Sequence, residues 1–200
     1  MKDLIVAMLN EAIFAVFLQN LVFSGGIGAT ETIRVAQKNG ELSFLSLAIT
    51  FFSVVAGVGS NLLRRVLFGT DTPGFALAAL LFSGVLLAAY FLVCAFVLAI
   101  RPKSKKFLLR RMGLAALNTV VLSVPLLAFR MGSTLSDTIA LGIGAGVAFA
   151  LASMLINSGM HQLQKNESIS PMFRGVPATL LYVGLLALAF TGFRGTTLFG

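Results

Sequence analysis

The sequence predicts an all-α integral membrane protein with six transmembrane helices. Hydrophobic residues make up 58% of the 200-residue chain and charged residues only 11%, and the mean hydropathy is +0.96. A soluble domain carries about a quarter of its residues as charged side chains, so this composition excludes most soluble enzymes, coiled coils and disordered tails. Six apolar stretches also approach the roughly 20 residues that a helix needs to cross a bilayer.

Glycine and proline mark the ends of several of these stretches. Gly25-Gly26 follow the first, Pro73-Gly74 open the third, and Pro171 and Pro177 flank the start of the sixth. The predicted spans are Leu4–Phe23, Leu42–Leu63, Phe75–Ile100, Met112–Phe129, Thr138–Ile156 and Val176–Phe193.

The first predicted span contains polar residues, which are unusual inside a membrane-spanning helix. It contains Glu11 and Asn20, and the glycine-rich segment Ser24–Gly28 follows it. Such a segment can bend into a re-entrant turn, which hydrocarbon tolerates only where protein or a cavity covers the backbone.

The fourth span repeats some of these features. Asn118 lies near its middle, Pro125 interrupts it, and Asn118–Ser123 resembles Asn20–Ser24. Six spans divide into three plus three, and an odd number per half makes any internal repeat inverted. We therefore predict one membrane domain, 1–200, made of inverted halves of about 1–100 and 101–200, with helices 1 and 4 interrupted. Inverted-repeat proteins build midplane sites from such helices.

Charge predicts the orientation. Ten of the 15 basic residues fall on one predicted side, and six of these ten lie in the segment 101–111. The positive-inside rule places that segment in the cytoplasm and both termini outside. The net charge of +8 is then explained by basic loops facing anionic membrane lipid, and no nucleic-acid partner is predicted.

The polar residues inside the spans are the candidate functional residues. Glu11 is either a functional carboxylate or one that reaches the outer interface. Asn20 and Asn118 offer amides near the midplane to an ion, to a substrate or to each other. Cys94 and His161 are the only cysteine and histidine, so no Cys/His metal site built by this chain alone is predicted. His161 is placed in a polar loop, so Ser/His/Asp catalysis has no support.

The chain resembles the six-span integral subunits of the Rnf and Nqr complexes, which are redox-driven ion pumps, and most closely those of the A/E type. The most specific stretch runs from Phe173–Gly175 to Leu188–Gly195, with Phe-Arg-Gly at its start and Gly-Phe-x-Gly at its end. The polar motifs of Leu18–Lys38 and Ala116–Ser123 also match without a gap. The resemblance covers essentially the whole chain.

Two positions depart from this family. The resemblance implies a cysteine just beyond the asparagine motif of each half, with paired subunits holding a 2Fe–2S cluster. Here these positions are Thr30 and Thr119, and Glu31 replaces the usual proline after the first cysteine. Neutral hydroxyls cannot replace thiolate ligands, so no cofactor is predicted. Thr30 and Thr119 join Glu11, Asn20 and Asn118 as candidate midplane residues.

The resemblance implies a subunit of an electron-transport-driven ion translocase in the bacterial inner membrane, without catalysis of its own. It also implies that the chain forms a heterodimer or homodimer with a homologous six-span subunit and assembles with further subunits of the redox complex. The alternatives are a small ion or solute transporter subunit that reuses the inverted repeat, and a structural partner that completes a heterodimer.

Overall fold

A computed structural model describes residues 2–17, 20–36, 42–69, 73–100, 105–170 and 172–192. Within these ranges the regular structure consists of nine α-helices and no strand. The helices are α1 (Lys2–Phe17), α2 (Leu21–Gly25), α3 (Ala29–Ala36), α4 (Leu42–Phe68), α5 (Phe75–Ile100), α6 (Lys105–Ala116), α7 (Thr119–Met131), α8 (Leu135–Lys165) and α9 (Val176–Gly192).

The prediction of an all-helical, multi-span membrane protein is confirmed. Among the described residues, four helical segments are long and apolar enough to cross a membrane: Leu42–Phe68, Phe75–Ile100, Leu108–Met131 and Leu135–Lys165. The third of these consists of α6 and α7, which are separated by a break at Asn118. The prediction that Pro125 interrupts this span is wrong, because Pro125 lies inside α7. Shorter apolar helices, Leu4–Phe17 and Val176–Gly192, occupy the first and sixth predicted spans.

The two halves of the chain share part of their order of elements. Each begins with a helix that breaks at an asparagine and continues as a second helix that ends at a left-handed glycine. In the second half the long helix α8 follows next, whereas in the first half α3 comes before the long helix α4. The packing is reciprocal, because α1 of the first half packs on α8 of the second, whereas α6 and α7 pack on α4.

The centre of the molecule is the contact between α4 and α8. A Cβ added at Gly142 would lie 3.0 Å from the Val54 backbone, and one added at Gly146 would lie 2.8 Å from the Thr50 Cα. These glycines therefore allow the two long helices to approach closely, as small residues do between membrane helices.

A polar contact joins the far ends of the same two helices. Asn61 Nδ2 on α4 donates to Ser133 O and to Thr138 Oγ1, each at 3.2 Å. Asn61 is 7% exposed, so its amide nitrogen is paired inside the protein rather than in water, whereas its buried Oδ1 has no partner among the described residues. The C-terminal part of α4 and the N-terminal part of α8 therefore lie at the same end of the bundle.

The segment between the first two predicted spans, residues 24–41, contains a helix that the sequence analysis did not predict. Residues Ala29–Ala36 form α3 because Thr32, Val35 and Ala36 lie on one buried face that packs against α8. Asn157 Nδ2 on α8 donates to Ala36 O and fixes the end of α3. Residues 37–41 lie outside the described residues.

Two predicted loops are wrong in part. The segment 101–111 contributes Lys105 onward to α6, and residues 101–104 lie outside the described residues. In the segment 157–175, α8 continues to Lys165, so His161 is an exposed helical residue rather than part of a loop. Good helix formers continue a helix after its apolar stretch has ended.

Candidate functional site

The first helix break is organised by Asn20. Its Oδ1 accepts hydrogen bonds from Val22 N at 3.1 Å and Phe23 N at 3.2 Å, and so caps α2. Its Nδ2 donates to Val16 O at 3.0 Å, in the last turn of α1. The side chain is fully buried, and both ends of the amide bond to the backbone on either side of the break.

Asn118 organises the second break in the same way, but less completely. Its Oδ1 accepts from Val120 N at 2.9 Å and caps α7. Its backbone oxygen accepts from Val121 N at 3.0 Å, which is the first hydrogen bond of that helix. Asparagine is among the most favourable N-cap residues because its oxygen satisfies N–H groups that have no partner in the helix. The amide of Asn118 is 3% exposed.

The turn between α2 and α3 brings the first break into close contact with the second. Gly26 and Gly28 have φ values of 65° and 76°, a region that strongly favours glycine. A Cβ added at Gly28 would lie 2.4 Å from Val120 Cγ2 and 3.3 Å from Asn118 Oδ1. Only a residue without a side chain allows this approach between the two halves.

A cleft of about 430 Å³ lies where the two halves meet. We call it the break cleft; its lining residues are 26–31 and 117–119. It brings together three of the predicted candidates: Thr30 and Thr119, which are exposed at the protein surface, and Asn118, which is buried. Asn118 lies near the middle of the Leu108–Met131 segment, so the cleft lies near the middle of that helical segment.

Two predicted candidates lie outside the break cleft. Asn20 does not line it and instead holds the first break together. Glu11 is a half-buried residue of α1 that is close enough to Asp137, in the first turn of α8, for their charges to interact. Glu11 therefore belongs to the end of the bundle where α8 begins.

The break cleft also contains residues that the sequence did not single out as candidates. Gly28 sets the approach of the halves, and Glu31 forms an ion pair with Arg34 one turn later in α3. The only indication in the sequence that Gly28 and Glu31 belong to the cleft was that both lie within three residues of Thr30. Nothing in the local sequence indicates that Gly28 contacts Val120.

The chemistry of the break cleft does not fit an iron–sulfur cluster. Its side-chain groups are the hydroxyls of Thr30 and Thr119, the amide of Asn118 and the carboxylate of Glu31. Fe–S clusters are held by thiolates, with imidazole as a replacement in some clusters. Cys94 is buried in α5 and does not line the cleft, and no group of three or more His, Cys, Asp or Glu residues that could hold a metal occurs among the described residues.

Residues 8–197 match the family model described as "Rnf-Nqr subunit, membrane protein". The chain belongs to this family. The resemblance found in the sequence is therefore confirmed, and the protein is a multi-pass membrane subunit of the Rnf-Nqr type.

Similar proteins match over nearly the whole chain. The A subunit of the Na⁺-translocating ferredoxin:NAD⁺ oxidoreductase complex of Acetobacterium woodii is 26% identical, covering 93% of this chain and 96% of the relative. The A subunit of the ion-translocating oxidoreductase complex of Syntrophotalea carbinolica is 29% identical, with 98% of each covered. The E subunit of the Na⁺-translocating NADH-quinone reductase of Rhodopirellula baltica is 25% identical, covering 92% of this chain and 95% of the relative.

Proposed function

We propose that this chain is an integral-membrane subunit of an Rnf/Nqr-type ion-translocating redox complex, and that it keeps the scaffold of the family without its intramembrane cluster. The observation that carries the proposal is the meeting of the two asparagine-capped breaks at Gly28, in a chain that matches the family over residues 8–197. The relatives named above are A-type or E-type components of ion-translocating oxidoreductases.

The proposed absence of the cluster rests on the donor atoms. Thr30 and Thr119 occupy the two positions where the family resemblance implies cysteines, and both line the break cleft. A threonine hydroxyl is neutral and does not supply the anionic sulfur that an iron–sulfur cluster requires. With threonine at both positions, the polar groups of the cleft are nitrogen and oxygen atoms only. In this proposal the chain performs no catalysis of its own.

A homologous six-span subunit is the proposed partner. The break cleft lies near the midplane, and its residues Thr30 and Thr119 are exposed at the surface of this chain. Polar groups and helix ends at that depth need cover by protein, because hydrocarbon offers them no hydrogen bonds. A second such protein, in a homodimer or heterodimer, would close the cleft, with other redox-complex subunits and membrane lipid around the pair.

The proposed orientation has both termini outside the bacterial inner membrane. The bundle end that contains Asn61 and Ser133 would face outward, and the end where Asn157 holds Ala36 would face the cytoplasm. Exposed basic residues beyond that second end, at Lys165 and Arg174, agree with the positive-inside rule.

The second candidate function is a small ion or solute transporter subunit that uses the same inverted repeat. The observation that favours it is a midplane cleft lined by hydroxyl, amide and carboxylate groups without a thiol. Transporters of the inverted-repeat type bind their substrates at broken helices in this position.

Purification from native membranes separates the two candidates. The tagged chain is extracted in a mild detergent, and the proteins that accompany it are identified by mass spectrometry. The redox-complex proposal expects a second six-span subunit together with flavin-binding or iron–sulfur subunits. Recovery of this chain alone, or with one six-span partner and no redox subunit, would contradict that proposal and favour the transporter.

A further inference from the structure

A small, largely enclosed cavity lies between α4, α5 and α7, near the end of the bundle where α8 begins. We call it the Asn61 cavity. Its polar lining residues are Ser60, Asn61 and Arg64 on α4 and Ser133 in the turn before α8. The space open to a sphere the size of a water molecule is about 10 Å³. One buried water needs about 10–15 Å³ by this measure, so the cavity has room for one water molecule.

The amide of Asn61 has a fixed orientation. One of its two terminal atoms lies 3.2 Å from Ser133 O, a carbonyl that can only accept hydrogen bonds, so that atom is the donor Nδ2. The same atom lies 3.2 Å from Thr138 Oγ1, whose own hydrogen is donated to Thr134 O at 2.7 Å. The other terminal atom is therefore Oδ1, a group that can only accept.

Two buried polar atoms at this cavity have no partner among the described residues. They are Asn61 Oδ1 and Ser60 Oγ. The two residues are 7% and 1% exposed, so bulk water solvates neither atom. A buried acceptor without a hydrogen is unfavourable, and native proteins satisfy such groups with a protein donor or with an ordered water molecule.

The walls of the cavity offer few donors to Asn61 Oδ1. The side chains that line it from α5 and α7 are apolar, and Pro125 has no N–H group. Ser133 N already donates to Ala128 O at 2.9 Å. The half-buried Arg64 carries N–H donors and lines the cavity, but it does not reach Asn61 Oδ1 directly, because that atom has no partner.

These groups favour a water molecule over an ion. A cation would be attracted by Asn61 Oδ1 and Ser60 Oγ but repelled by the guanidinium of Arg64. An anion would be opposed by Asn61 Oδ1, which has no hydrogen to donate. Water both donates and accepts, so it can bond to all of these groups. About three hydrogen bonds are typical of a buried water molecule.

We propose that the Asn61 cavity binds one ordered water molecule, which donates to Asn61 Oδ1, bonds to Ser60 Oγ and accepts from the guanidinium of Arg64. The water completes the polar contact between α4 and the start of α8, because the Asn61 amide is then bonded through both its nitrogen and its oxygen. The proposal goes beyond the subunit function, since it depends on the packing of this chain and not on electron transfer.

The test is X-ray radiolytic labelling of the purified protein in detergent, read by mass spectrometry. Radiation converts water to hydroxyl radicals that oxidise the side chains in contact with it, and a scavenger in the solvent removes the radicals formed in bulk water. Loss of oxidation at Met172, which is 84% exposed, shows that the scavenger is effective.

Phe82 reports on the water because it lines the cavity and is only 3% exposed. With the scavenger present, Phe82 should be oxidised severalfold more than Phe52 and Phe149, which are fully buried and do not line the cavity. Equal oxidation of the three phenylalanines would overturn the proposal.

Two variants assign the label to the Asn61 cavity. Asn61→Leu replaces the acceptor with a methyl group in a side chain of similar size, so oxidation of Phe82 should fall to the level of Phe149. If Asn61→Leu does not fold, Ser60→Val removes the hydroxyl and fills part of the cavity, and it should give the same loss. Unchanged oxidation of Phe82 in the variant that folds would overturn the proposal.

Ser153→Ala is the matched control. Ser153 Oγ is also buried without a partner among the described residues, but Ser153 does not line the cavity. This variant should leave the oxidation of Phe82 at the wild-type level. A loss as large as in Asn61→Leu would show that the label does not come from the Asn61 cavity and would overturn the proposal.

A change of cation checks the identity of the occupant. A bound water predicts the same oxidation of Phe82 in sodium buffer and in N-methylglucamine buffer. Lower oxidation in sodium would show that a cation takes the place of the water and would overturn the proposal. Membership of the redox complex is measured separately by co-purification, so failure of the water site and failure of the proposed function give different results.

Discussion

Gly28 and Val120 come from opposite halves of the chain and approach so closely that a Cβ on Gly28 would lie 2.4 Å from Val120 Cγ2. Gly28 therefore cannot gain a methyl group without movement of the Val120 side chain or of one half relative to the other. This contact joins the turn after the first break to the start of α7, and it defines the geometry of the break cleft.

Substitution of Gly28 by alanine should destabilise the protein more than the same change at Gly26. Both residues have positive φ, so each substitution carries a similar backbone penalty of about 1–3 kcal/mol. An added Cβ at Gly26 would meet nothing within 4 Å, so Gly26→Ala is a matched control for the contact with Val120. Thermal unfolding in detergent measures both variants. Equal melting temperatures would show that the close approach of the halves is absent.

The asparagine caps should contribute to stability at both breaks. Asn20→Leu and Asn118→Leu each remove an N-cap, which costs about 0.5–2 kcal/mol, and Asn20→Leu also removes the hydrogen bond to Val16 O. Asn20→Leu should therefore lower the melting temperature more than Asn118→Leu. Asn10→Leu, at an exposed position of α1, is the control. Wild-type stability and assembly in both cap variants would contradict the account of the breaks.

Asn157 should hold α3 against α8. The sequence placed Asn157 at the end of a span, whereas its Nδ2 donates to Ala36 O. In a Cys94→Ala background, a cysteine at the buried position Val35 should react faster with a thiol reagent when Asn157 is replaced by leucine. Asn166→Leu, at an exposed residue after α8, should leave the labelling rate unchanged. Equal rates in both variants would show that the contact does not fix α3.

The orientation can be tested at two exposed residues on opposite ends of the bundle. In the Cys94→Ala background, Arg65→Cys should react with an impermeant maleimide added to intact cells, whereas Met172→Cys should react only after permeabilisation. Arg65 lies near the end of α4, and Met172 precedes α9. The opposite pattern would place both termini in the cytoplasm.

The sequence predicted that helices 1 and 4 are interrupted, but it placed the interruptions at Ser24–Gly28 and at Pro125. In the structure the helices break at Asn20 and Asn118, which were recognised only as polar residues inside apolar stretches. The sequence did not predict α3, because Thr32 and Arg34 give Ala29–Ala36 a polar composition typical of a loop. That segment is helical because Thr32, Val35 and Ala36 are buried against α8, and the partner helix lies more than 100 residues away in the chain.

The composition of the break cleft was predicted only in part. Thr30, Asn118 and Thr119 were recognised from the two motifs, and the structure brings them together. The interaction between the charges of Glu11 and Asp137 depends on the packing of α1 on α8, which no local pattern in the sequence encodes.

Chemical analysis of iron and acid-labile sulfide tests most directly the claim that this subunit keeps the family scaffold without the cluster. The chain is purified anaerobically, both by itself and with the subunits that accompany it, and compared with its Thr30→Val/Thr119→Val and Cys94→Ala variants. The account predicts no stoichiometric iron or sulfide in the chain by itself, and no change in the content of the complex in either variant. Stoichiometric iron and sulfide in the isolated chain, or their loss from the complex in a variant, would contradict it.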